Sequence, residues 1–89
     1  MRKREQPLGK RNIIGARVEK ERKRQEMKQR ELLARLQVNG INITSSALSK
    51  LEGQIRLVTD IEVLALAKIL GVSVNWLLTG NGRQTIEGE

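Results

Sequence analysis

With 89 residues the chain has room for one domain, and its core must be aliphatic, because 38% of residues are apolar and Trp76 is the sole aromatic. There is no Cys and no His, which removes disulfides, thiolate chemistry, most zinc sites and the commonest general acid–base group. The net charge of +7 is one-sided: residues 1–30 hold twelve Lys/Arg against four Asp/Glu, and residues 31–89 hold five against six. Such a footprint suits a polyanion, with nucleic acid first and an anionic membrane surface second.

Residues 1–11 combine basic side chains with Pro7 and Gly9 and almost nothing apolar. They read as a flexible basic arm or, equally, as a solvated terminus that aids solubility. No stretch approaches the roughly 18 apolar residues of a membrane span, and Met1-Arg2-Lys3-Arg4 is not followed by the apolar segment of a signal peptide, so a cytoplasmic protein is expected. Asn12 suits the N-cap of a first helix running to about Gln25, with Ile14 and Val18 inward and Lys20, Glu21, Lys23 and Arg24 facing water. A second helix, about Gln29 to Val38, places Leu32, Leu33 and Leu36 on one face and stops at Asn39-Gly40.

After Ile41-Asn42-Ile43, Thr44 can cap a third helix. Leu48 and Leu51 lie on its inner side, opposite Ser45, Ser46, Ser49 and Lys50. Thr59-Asp60-Ile61-Glu62 is a capping box, with Val58 and Val63 placed as a hydrophobic staple, so a fourth helix starts there and ends at Leu70-Gly71. Ser73 caps a short fifth helix from Val74 to Leu78, and Gly80-Asn81-Gly82 breaks the pattern. The expected organisation is an arm over 1–11, one all-α domain over 12–80, built as a compact five-helix bundle, and a short tail over 81–89.

The order of these elements resembles the phage-repressor and Cro-like helix-turn-helix proteins, the Xre family. The residues carrying the resemblance are Ile14-Gly15-Ala16-Arg17-Val18, Met27-Lys28-Gln29-Arg30-Glu31-Leu32, Leu48-Ser49-Lys50-Leu51-Glu52-Gly53 and Leu70-Gly71-Val72-Ser73-Val74-Asn75-Trp76-Leu77-Leu78. What the resemblance implies is a lambda-repressor-like bacterial DNA-binding fold, with helices two and three as the helix-turn-helix and helix three in the major groove. Under that geometry Ser45, Ser46, Ser49 and Lys50 face base edges. Serine hydroxyls both donate and accept and so specify poorly, whereas Lys50 can donate to guanine O6 and N7; serines merely tolerated on an exposed helix face are the competing reading. Gln29 falls where the family carries a phosphate-binding glutamine; Arg30, Gln54 and Arg56 are further phosphate candidates, with a solvated charge the competing reading for Arg30. The resemblance also implies an ion pair between Arg17 and Glu52. One departure is the connection from Gln37 to Ile43, longer than the family's tight turn, which leaves the angle between the two helices open.

These features point to a sequence-specific transcriptional regulator, a repressor, acting as a homodimer on double-stranded DNA with a palindromic operator. Trp76, Leu77 and Leu78 are expected to finish the core, as an apolar stretch at helical spacing commonly does, and part of this surface, with helix five and the tail, is the expected dimer face. An antitoxin or adaptor that binds a protein partner as well as DNA is the alternative, although the nine-residue tail is short for a toxin-binding segment. A membrane or groove-binding peptide over residues 10–30 lacks a continuous apolar face. Catalysis has no nucleophile–base pair to start from. No metal, cofactor or small-molecule ligand is expected.

Overall fold

The computed structural model describes residues 11–82. The expected arm, apart from Arg11, and the expected tail, apart from Asn81 and Gly82, lie outside them. Five helices follow one another: α1 (Gly15–Arg24), α2 (Gln29–Val38), α3 (Ser45–Glu52), α4 (Asp60–Leu70) and α5 (Val74–Thr79). There is no β-strand among the described residues.

Each helix begins where a side chain can take up an otherwise orphaned backbone N–H. Asn12 Oδ1 accepts from Gly15 N (2.7 Å), Thr44 from Ala47 N (3.1 Å), Thr59 from Glu62 N (3.1 Å) and Ser73 from Trp76 N (2.9 Å). At α2 the Glu31 carboxylate reaches back to the Lys28 N–H (2.7 Å). Val58 and Val63 are both half-buried against the core, as a staple at the start of α4 requires.

The inward leucines and isoleucines then meet. Ile14, Val18, Leu32, Leu36, Leu48, Leu51, Leu66 and Leu77 are all essentially inaccessible to solvent. Helix α4 lies at the middle of the packing, against α1, α2 and α5, while α3 rests on α1 and α2. Trp76 is only partly buried, and Leu78 remains exposed at the surface of α5.

The long α2–α3 connection is not a slack loop. Ile41 and Ile43 are both buried in the core, and Gln37 donates to the Ile43 carbonyl (3.1 Å). Exposed Asn39, Gly40 and Asn42 carry the turn, while the two isoleucines anchor the connection to the core between α2 and α3.

Helices α1 and α3 both end on a left-handed residue that is not glycine: Glu26 at φ 58° and Gln54 at φ 64°. Each sits in a Schellman arrangement, with Met27 N donating to Arg22 O (3.0 Å) and Ile55 N to Lys50 O (3.0 Å). Gly15 is required for a different reason. A Cβ there would collide with the Leu51 carbonyl, so α1 can approach the end of α3 this closely only without a side chain.

Two substitutions test these backbone constraints by urea denaturation. Gly15→Ala is expected to destabilise by about 1–3 kcal/mol through overpacking against α3. Glu26→Gly, at an exposed left-handed position, is expected to raise the urea midpoint by relieving up to about 1 kcal/mol of backbone strain.

Candidate nucleic-acid interface

Helix α3 is eight residues long, and its two faces are set by two leucines. With Leu48 and Leu51 fully buried, the turn of about 100° per residue carries Ser45, Ser46, Ser49 and Lys50 out to solvent. This face is small and polar, with one cation at its C-terminal end.

Glu52, the last residue of α3, is buried, and an unpaired carboxylate there would be costly. The expected Arg17–Glu52 pair is corrected: the partner is Arg22. Arg22 Nε donates to Glu52 Oε2 (2.8 Å) and Nη2 to Oε1 (3.0 Å), while Nη1 donates to the Met27 carbonyl (2.8 Å). The Glu52 hydrogen bonds raise the Arg22 pKa further than burial lowers it, so the guanidinium stays charged. The physical reason lies in helical spacing. Ile14, Val18 and Arg22 follow one another at i, i+4, i+8 on the buried face of α1, and Arg17 does not. Arg17 instead donates to the Ile13 and Leu77 carbonyls (both 3.1 Å), tying α1 to the last turn of α5.

The same spacing corrects Glu21, expected to face water. It lies three residues after Val18 and is 1% exposed. Arg24 and Gln25 donate to its carboxylate, and Gln25 also donates to the Leu70 carbonyl at the end of α4 (2.7 Å).

A polar chain runs outward from Glu52. Gln29 Nε2 donates to Glu52 Oε1 (3.0 Å), and Gln29 Oε1 accepts from the Ser49 hydroxyl (3.0 Å). Because Glu52 is a carboxylate with only acceptors to offer, it dictates which way the Gln29 amide points, and the amide then dictates the Ser49 proton. The chain neighbours of this triad, Lys28, Arg30 and Lys50, are exposed and carry no ion pair among the described residues. Gln29 retains its second amide N–H.

Gln54 and Arg56 are more committed than the sequence indicates. Gln54 Nε2 donates to the Asn12 carbonyl (3.3 Å). Arg56 pairs with Glu62 through two N–H groups (both 3.2 Å), bracing the α3–α4 connection onto the α4 cap, where Glu62 Oε1 also accepts from Thr59 N (2.9 Å). A phosphate at Arg56 would have to share the guanidinium with Glu62.

Asn12, expected as the N-cap of α1, lies two residues before the actual cap position, Ile14, and still takes up the Gly15 N–H. Buried beneath the end of α3, its Nδ2 donates to the carbonyls of Leu51 (3.0 Å) and Arg56 (2.9 Å). Its length of reach across some 40 residues is invisible to local pattern, and only its cap role is legible beforehand. The chain matches no known protein-family model, no curated protein and no solved structure.

Thermal and urea denaturation of three variants separates the two arginines. Arg22→Ala and Glu52→Ala should each cost about 3–5 kcal/mol, the penalty for stranding a buried charge. Arg17→Ala, which removes hydrogen bonds to two carbonyls, should cost about 1–2 kcal/mol.

A pH series addresses Glu62. Burial pushes its carboxyl up, but the Arg56 hydrogen bonds and the Thr59 backbone N–H together hold it below the ordinary glutamate value. The fold therefore favours the ionised form, so the stabilisation is complete above the ordinary value of about 4.3 and is lost as pH falls through the lower folded value. The stability gap between the parent chain and Glu62→Gln is expected to shrink from pH 7 to pH 3; a constant gap would contradict the assignment.

Proposed function

We propose that the chain is a sequence-specific DNA-binding regulator of the lambda-repressor-like helix-turn-helix kind, acting as a repressor, with α2 lying across the backbone and α3 entering the major groove. The observation that carries the reading is the Arg22–Glu52–Gln29–Ser49 chain, which ties the solvent-facing side of α3 to a buried ion pair. A groove reader benefits from such support, because a side chain whose protons are already assigned discriminates between donor and acceptor patterns at no further ordering cost.

On this reading Ser49 ceases to be an indifferent hydroxyl. Its hydrogen is spent on Gln29, so toward a base it offers only lone pairs, which suits the exocyclic amine of adenine or cytosine. Lys50 offers the opposite chemistry and suits guanine O6 and N7. Ser45 and Ser46, on the exposed first turn, have no hydroxyl hydrogen-bond partner among the described residues. Lys28 and Arg30 flank Gln29 at the start of α2, where its remaining amide N–H and the helix N-terminus would face a phosphate. Base-reading and backbone-holding groups thus fall on adjacent elements, and two-fold pairing of the protein would match a palindromic operator.

Selection from random duplex DNA at two salt concentrations tests the proposal. The expected result is a short consensus whose affinity falls steeply with salt, with log K declining by about 0.9 per neutralised phosphate for each decade of salt. Lys50→Ala should lose about 1–3 kcal/mol of discrimination at a guanine. Gln29→Ala should free the Ser49 rotor and relax its adenine or cytosine preference. Arg30→Ala should weaken all sequences alike. Recovery of unselected sequence at both salt concentrations overturns the reading.

A further inference from the structure

Helix α4 is apolar nearly all round in sequence, a pattern that belongs to a helix covered on every side. The described residues do not cover it on every side. Ile61 is 66% exposed and Leu64 is 54% exposed, although Leu66 and Leu70 on the opposite side are buried. Leu57, two residues ahead of the Thr59 cap, is 71% exposed. On α5, by comparison, Leu77 is fully buried, Trp76 is partly buried and Leu78 is 37% exposed.

The outer face of α4 has a charge at each end. At about 100° per residue, positions 60, 61, 64 and 68 share one sector of the helix. Asp60 and Lys68 are exposed there, and neither has an ion-pair partner among the described residues. Their placement also complements the helix dipole, but the dipole does not account for an exposed isoleucine and leucine between them.

We propose that this face docks a second copy of the chain, the two α4 helices running antiparallel across a two-fold axis at Leu64. An isologous interface must be complementary to itself, and this stripe is. Leu64 lies midway between Asp60 and Lys68, so the antiparallel arrangement sets Leu64 against Leu64 and Asp60 of each copy against Lys68 of the other. A parallel arrangement would oppose like charges. The proposal names the surface for the dimer invoked above but does not rest on DNA binding, so the two readings fail separately: association is measured without DNA, and DNA selection without reference to α4. One helix face is a small interface, and a reversible, concentration-dependent dimer is expected.

Sedimentation equilibrium of the full chain, from micromolar to near-millimolar concentration, tests it, with circular dichroism to verify that each variant is folded. The parent chain should pass from monomer to dimer. Leu64→Asp should raise the dissociation constant more than tenfold. Asp60→Lys and Lys68→Asp should each weaken association by severalfold to about tenfold, since each sets like charges together twice per dimer. The double variant Asp60→Lys with Lys68→Asp re-forms both pairs with the signs exchanged and should recover the parental constant to within about twofold. A parent chain that stays monomeric, a dimer indifferent to Leu64→Asp, or a double variant weaker than both single variants overturns the proposal.

Discussion

A carboxylate buried at the end of a helix has to be neutralised where it stands, and at Glu52 the Arg22 guanidinium does so with two N–H groups while spending a third on the Met27 carbonyl. That pair joins α1 to α3 and also reaches the turn that leads into α2. Three helices are thus referred to one charge centre. Whether such a pair adds net stability over an apolar replacement is secondary to its geometry: with α3 in this placement the Glu52 carboxylate and the Arg22 guanidinium satisfy one another.

The rest of α3 is arranged around that anchor. Asn12 holds the Leu51 and Arg56 carbonyls from below, and Gly15 lets the start of α1 reach the Leu51 backbone without a side chain in the way. From the other side, Ile41 and Ile43 pin the connection out of α2 into the core. These contacts tie the helix that carries the outer serines and Lys50 to the core on two sides. Gln29 then carries the order of the interior to the surface, since its amide is oriented by Glu52 and in turn orients Ser49.

Charge is divided between structure and surface. Arg22, Arg24 and Arg56 hold buried carboxylates, whereas Lys28, Arg30 and Lys50, the chain neighbours of Gln29 and Ser49, carry no ion pair among the described residues. Net charge alone would not separate these roles. A guanidinium inside an ion pair has lost much of its value to a phosphate, while an exposed ammonium keeps all of it.

Local chemistry determined the helices. Asn12, Thr44, Thr59 and Ser73 announce helix starts because a cap is a contact within three residues, and periodic leucines announce the inward faces because burial follows the helical repeat. The polar outer face of α3 was legible for the same reason. Tertiary packing decided which charged residues go inside. Arg17 and Arg22 are the same residue type on the same helix, about 140° apart around its axis, and only the position of α3 selects between them. The spacing of Arg22 from Ile14 and Val18 was a usable signal, as was that of Glu21 from Val18, but it conflicts with the rule that charges face water. Ile41 and Ile43 in the connection, the reach of Asn12 and the uncovered apolar side of α4 have no local signature at all, because each depends on what another part of the chain does or does not bring alongside.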